Sequence, residues 1–348
     1  MKKLLLGGLF CLSFSSYAVT VSVTHNPATD CPGTMTTVQC TALVAEVNSF
    51  VNADMPDVSI DKYGTGVANA SGFAYKGLGS DYSDNFDIFM VRVGGGLAVQ
   101  GDLETPESAE GVGFGAAATI GINLDLLPIN KVGPIDLSKM DLFVSFMSYD
   151  TEQDLDSGTG EFDISHFGLM ARYHLIDSIS FIPGGVLKWG GIFLHTGLQR
   201  SSMKAKLSQT FENETVDVSG GFTADLVNTS AVFTLESTNT TIPVEVSTYL
   251  QAAYVFTFFG GLGFDLVTGG TDVDLTAGGT AQGSTGPTSG FQATITANES
   301  SSGDADATNF RGFVGAQFNI PFFKIYAQMN KGLGNDQIGV NLGAKILW

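Results

Sequence analysis

The chain ends on IGVNLGAKILW, Ile338 to Trp348, and this stretch decides how the rest is read. Ile338, Val340, Leu342, Ala344, Ile346 and Trp348 are apolar and fall on every second position. Gly339, Asn341, Gly343 and Lys345 alternate with them, and only Leu347 breaks the pattern. Successive side chains of a strand point to opposite faces, so this spacing predicts one strand with an oily face and a polar one. The aromatic residue is the last of the chain, with apolar residues two, four and six positions before it.

That ending resembles the assembly signal of bacterial outer-membrane β-barrel proteins, in which a terminal Phe is usual and Trp a tolerated variant. The resemblance rests on Ile338, Val340, Leu342, Ile346 and Trp348. It implies a porin-like barrel in the cell outer membrane, with outer-membrane lipid and the barrel-assembly machinery as partners. It names no solute or ligand.

The same alternation recurs upstream. It runs through Phe89–Val99, Val112–Leu124, Leu142–Phe146, Phe167–Leu175, Ile192–Leu198, Ile242–Phe256, Leu262–Leu266, Gly312–Ile320 and Ile325–Met329. Ten strands are expected, or twelve if the excursion Ser201–Thr240 hides a further hairpin; both are even numbers, as bacterial barrels require. Polar, mostly acidic segments at Gly101–Glu110, Asp150–Glu161, Ser201–Thr240 and Gly269–Thr308 are expected as outer loops. Compact turns are expected near Pro128 to Pro134, Phe258 to Gly260 and Pro321. The face opposite the oily one carries Arg92, Arg172, Arg311, Lys324 and Lys345 against Asp125, Asp141, Glu245 and Asp265, with His166, His174 and His195 among them. Charges facing hydrocarbon cost several kcal/mol near the midplane, so these residues are assigned to the lumen.

The amino end has another texture. Met1 to Ala18 reads as a secretory signal peptide: Lys2 and Lys3, an apolar run, then Ser16-Tyr17-Ala18 as a cleavage site. Its removal takes Cys11 and leaves Cys31 and Cys40, expected as a disulfide in an oxidising compartment. Within residues 19–85, Leu43, Val47, Phe50 and Val51 recur at helical spacing behind Thr36 and Thr37 as caps, giving one amphipathic helix. Gly64, Gly66, Gly72, Gly77 and Gly79 suggest an irregular stretch after it. This segment is read either as a plug entering from the periplasmic end or as a helix resting on the periplasmic rim. Met90, Met147 and Met170 point to the lumen side and offer the helix an adaptable apolar patch. The barrel itself is assigned residues 86–348.

Composition narrows function. Of 348 residues 44 are glycine and 15% are charged, and the formal net charge is −19, which argues against nucleic acid as a partner. Gly113, Gly115 and Ala118 match a dinucleotide fingerprint in spelling, but they alternate within a strand and open no helix. The three histidines lack a nucleophile elbow, and the acidic loop Asp150–Glu161 lacks the glycine placement of a calcium loop. No enzyme activity, cofactor or metal is expected. The fold class is therefore all-β: an up-and-down antiparallel transmembrane barrel with a small amino-terminal helical segment. Two functions are open. One is a channel or transporter for a small solute, gated by the amino-terminal segment. The other is a surface-exposed adhesin or structural protein acting through its long acidic loops.

Overall fold

A computed structural model describes residues 22–27, 29–33, 35–54, 63–101, 109–129, 131–155, 157–182, 186–218, 222–283, 289–320 and 322–348. The expected signal peptide lies outside these residues. The amino-terminal part holds strand β1 (Ser22–Thr24) and helices α1 (Thr37–Asp54) and α2 (Tyr63–Ala74). Then come β2 (Phe89–Gly101), β3 (Ala109–Asn123), the short pair β4 (Lys131–Val132) and β5 (Ile135–Asp136), β6 (Met140–Leu155) and β7 (Gly158–Ile176). They are followed by β8 (Ile179–Ser180), β9 (Leu187–Thr210), β10 (Glu214–Val218), β11 (Phe222–Ala252) and β12 (Phe256–Gly283). The chain finishes with β13 (Gln292–Asp304), β14 (Thr308–Ile320), β15 (Phe323–Gly332) and β16 (Gln337–Leu347).

Ten of these strands close a ring. Antiparallel pairing runs β2-β3-β6-β7-β9-β11-β12-β14-β15-β16, and β16 returns to β2 from Gln337↔Gln100 to Leu347↔Met90. Closure leaves the ring without a free edge, which is what lets strands stand in lipid. The terminal strand is the closing piece. Val340, Leu342 and Ile346 face outward and are exposed, while Asn341 and Lys345 are buried inside. Trp348 fastens the join: its ring stacks on Phe89 at 4.4 Å, and its backbone exchanges hydrogen bonds with Ile88 and Phe89. Around the ring, Val93, Ile120, Phe146, Leu169, Val246, Leu262, Val314 and Ile325 continue the exposed apolar belt. An inward polar face and an outward oily belt are the signature of a membrane barrel.

Several expected loops are strands. β11 and β12 run for 31 and 28 residues and stay paired far beyond the belt. With β9, β10 and β13 they turn Ser201–Thr240 and Gly269–Thr308 into a sheet that extends the wall at one end. Asp150–Glu161 is likewise the paired tip of β6 and β7. These segments carry no continuous oily face toward lipid, and their buried apolar residues, such as Ala224, Leu235, Val273 and Ala281, are scattered among Thr, Ser and Asn, so alternation could not reveal them. The excursion does hide a strand, β10, but it lies off the ring and the ring stays at ten. The turn expected at Phe258–Gly260 sits instead at Ala253–Val255, where Ala253 and Tyr254 take positive φ. Gly261 stays in the strand, and a side chain there would meet the ring of Phe313.

Helix α1 packs on this extension. Cys40, Leu43, Val44 and Val47 cluster with Ala224, Ala281, Phe291, Ala293 and Ile295. The side chains of Phe50 and Val51 lie outside the described residues. The helix itself is therefore at the long-hairpin end of the barrel, and the part of the amino-terminal segment that enters the lumen is the stretch after it. Its start carries a capping box, with Gln39 N–H donating to Thr36 Oγ1 at 3.3 Å and Thr36 N–H to Gln39 Oε1 at 3.0 Å. The Cys31–Cys40 disulfide is present, with Cα atoms 6.0 Å apart.

The first part of the stretch expected to be irregular is helix α2, threaded into the barrel, while Gly77 and Gly79 lie in the turns after it. Its glycines lower helix propensity but allow backbone contact with the wall. A Cβ on Gly111 would overlap Gly66, and one on Gly113 would overlap the Ala70 carbonyl. The alternating glycines of β3 are thus a groove for α2. Gly113→Val is expected to unseat the helix and lower stability by about 1–3 kcal/mol or more. A reduced urea midpoint of the refolded variant, with the outward control Ala116→Val unchanged, is the measurement.

Candidate functional site

Among the described residues, the lumen is where polar residues from most of the strands converge. It is filled by the chain itself. Every residue from Gly66 to Asp84 is buried. The segment enters at the end where β3 begins and β13 finishes, with Asn69 and Asp306 bonded at 2.8 and 3.1 Å. It leaves at the short-turn end, where Lys324 holds Asp84 at 2.8 Å, and turns back into β2. Wall side chains satisfy its backbone along the way. Asn239 donates to the Ala68 carbonyl at 2.9 Å, Asn341 to Ala74 at 3.2 Å, Asn330 to Lys76 at 3.2 Å and Thr119 to Leu78 at 2.7 Å. Buried backbone polar groups must be paired, and here the barrel pairs them.

The expected lumen residues other than Asp125 lie on the inner wall, but they form separate groups. Arg311 reaches Asp265 at 3.0 Å and also Glu245, while Tyr82 of the threaded segment donates to Glu245 at 2.7 Å. Lys76 stands 3.3 Å from Asp265. Arg172 pairs with Asp141 at 2.6 Å, His174 with the same carboxylate at 2.9 Å, and Arg172 donates to the carbonyls of Asp81 and Asp84. The rings of Phe86, Phe143 and Phe193 surround its guanidinium at 5.2–5.5 Å. Arg92 donates to the Gly77 carbonyl and lies over Tyr326. His195 sits between Ser80 and Ser247 at 2.8 and 2.7 Å, and His166 contacts Ser145 and stacks on Tyr75. Asp125 is the exception among the broader set of charges, exposed in a helical turn after β3. Met90 and Met170 do point inward, but they pack with Phe86 and Phe143 rather than with α1.

Sequence reasoning missed the partners supplied by the segment. Lys345 is fully enclosed between Asp81 at 2.6 Å and Asp84 at 2.9 Å. The signal was there in Ser80-Asp81-Tyr82-Ser83-Asp84, an acidic run immediately before the first wall strand. Chemically, the arrangement is a set of mutually satisfied charges. Breaking any buried pair strands its partner in a low-dielectric interior. The His195 ring and both serine hydroxyls are enclosed, which leaves no approach for a substrate to that contact. At the far end, His25, Cys31 and Cys40 lie close together, yet both thiols are consumed by the disulfide.

With fold and lumen in view, comparison with known proteins is informative on one point. The sequence model of the Lsa36-like family matches residues 28–348. The chain belongs to the Lsa36-like family. No curated protein matches it in sequence. Among solved structures, this Lsa36-like barrel is similar to the translocator domain of the autotransporter NalP from Neisseria meningitidis, at 11% identity and a TM-score of 0.31. That match covers 80% of this chain and 93% of the other. It is also similar to the outer membrane protein Omp33 of Acinetobacter baumannii, at 12% identity, TM-score 0.25, and 78% and 100% coverage. A Pseudomonas aeruginosa FadL homologue matches at 10% identity, TM-score 0.25, and 81% and 99% coverage. Similarity this distant adds nothing to the chemistry of the site. The closed ring and its lipid-facing belt make the Lsa36-like chain an outer-membrane barrel.

Proposed function

We propose that the protein is a closed outer-membrane barrel that acts at the cell surface, as a binding or structural protein, and that it does not conduct solute. The observation that carries this reading is the unbroken burial of Gly66 to Asp84 across the lumen. A gated channel would have to extract this segment and break Lys345–Asp81, Lys345–Asp84, Lys324–Asp84 and Tyr82–Glu245 together. Short turns face the periplasm and long hairpins the outside in bacterial barrels, so the extended sheet, α1 and the disulfide stand outside the cell. Insertion relies on the terminal strand and the barrel-assembly machinery that recognises such endings. The surface partner is a ligand of undefined chemistry.

The test is orientation and conductance of the whole protein. Gly33 and Gly334 lie at the long-hairpin end and Gly133 in the β4–β5 turn at the other, and a side chain at each would meet open space. Epitope tags inserted at Gly33 and Gly334 are expected to bind antibody on intact cells, and a tag at Gly133 only after lysis. The refolded protein is expected to leave planar bilayers silent. Steady conductance from the intact chain, or a surface-exposed tag at Gly133, would overturn the proposal.

A further inference from the structure

The wall is not paired to the same height everywhere. Between β3 and β6 the register runs from Asn123↔Asp141 up to Ala118↔Phe146 and stops there, although β3 continues to Ala109 and β6 to Leu155. The two strands part above that point. In the cleft lies an apolar cavity of about 440 Å³, lined from β3 by Val112 and Phe114, from the inner face of β7 by Phe162 and from β9 by Met203 and Leu207. On the inner side it is backed by the buried cluster of Val67 of α2 with Met203, Leu235 and Val273, against which Phe114 and Phe162 also pack. The cavity is a dead end rather than a route through the lumen.

We infer that this cleft binds one acyl chain taken sideways from the surrounding bilayer. Three observations carry it. First, the lower edge of the cleft belongs to the lipid-facing belt: Phe146 is exposed there, and Phe114 pairs across β2 with exposed Leu97. Second, the lining is oily, the volume falls in the range of small-ligand pockets, and an apolar cavity gains nothing from water. Third, the charge at its border is already neutralised, with Lys206 on Glu161 at 2.9 Å, so the site offers nothing to select a charged head group. Hydrocarbon fits; an anion does not. Met203 supplies an adaptable wall for a flexible chain.

The test uses the full-length protein in phosphatidylcholine vesicles containing a phosphatidylcholine with a diazirine on one acyl chain. After illumination, adducts are mapped by mass spectrometry. Belt residues such as Leu169 and Leu262 label in any barrel. Adducts on Phe162, Met203 and Leu207, which face inward, are expected only if a chain enters the cleft. Ala205→Trp, or Leu235→Trp as a second filling variant, is expected to lose the inner adducts and keep those on the belt. Belt adducts alone in the unaltered protein, or inner adducts undiminished in a folded filling variant, would overturn the inference.

Discussion

A barrel lacking residues 22–84 is expected to conduct where the intact protein is expected to stay silent. The truncated chain keeps the ring, since none of its ten strands comes from that segment. The wall also keeps its own charge pairs, Arg311 with Glu245 and Asp265, and Arg172 with Asp141. Lys345 loses both carboxylates, but the vacated lumen fills with water and solvates it. Thr119, Gln317, Gln328, Asn330 and Asn341 give the opening a polar lining along one part of its wall, beside the aromatic patch of Phe143, Phe193, Tyr249, Phe259 and Phe313. Single-channel current in planar bilayers is expected to rise by an order of magnitude or more, from a silent baseline to a steady level. A correctly folded truncated barrel that stays silent would show that wall side chains, and not the threaded segment, close the lumen.

Replacing Arg172 by Met should be the most damaging single change in the lumen. The guanidinium is fully buried, pairs with Asp141 at 2.6 Å and ties the Asp81 and Asp84 carbonyls to the wall. Without it, buried Asp141 has His174 as its remaining ionic partner. Removing one side of a buried pair typically costs about 3–5 kcal/mol, because the other charge is stranded. The urea midpoint of the refolded protein is expected to fall accordingly, and adding Asp141→Asn to recover part of the loss. A single variant as stable as the parent would mean that the lumen is wet rather than packed.

The wall was legible because lipid imposes a strict period on it. Val340, Leu342 and Ile346 must face out, and Asn341 and Lys345 must then face in. Inner positions such as Arg172, Glu245 and Arg311 followed from the same parity. Where lipid stops, the strict period stops: Thr-, Ser- and Asn-rich halves of β11 and β12 pair as strands with buried apolar residues only at scattered positions such as Ala224, Leu235, Val273 and Ala281. Helix α2 was hidden for a different reason. Gly64, Gly66 and Gly72 read locally as breakers, and only the packed wall explains the first two: Gly64 lies against Gly303 of β13 and Gly66 against Glu110 of β3. The position of α1 depends on Phe291, Ala293 and Ile295, far away along the chain, and on which end the segment enters. Local periodicity contains neither.

Threading of residues 63–88 through the lumen from one end to the other is the central claim, and paired cysteines test it directly. Asn69 is bonded to Asp306 near the long-hairpin end, and Ser83 donates to Gln317 at 2.7 Å near the short-turn end. Asn69→Cys with Asp306→Cys, and Ser83→Cys with Gln317→Cys, would each be treated in native outer membranes with a short thiol-to-thiol cross-linker. Linked peptides would then be sought by mass spectrometry. Both pairs are expected to link, because the segment touches the wall at both ends. Linkage of the Ser83 pair alone, or of neither, would contradict a lumen filled along its length by the amino-terminal segment.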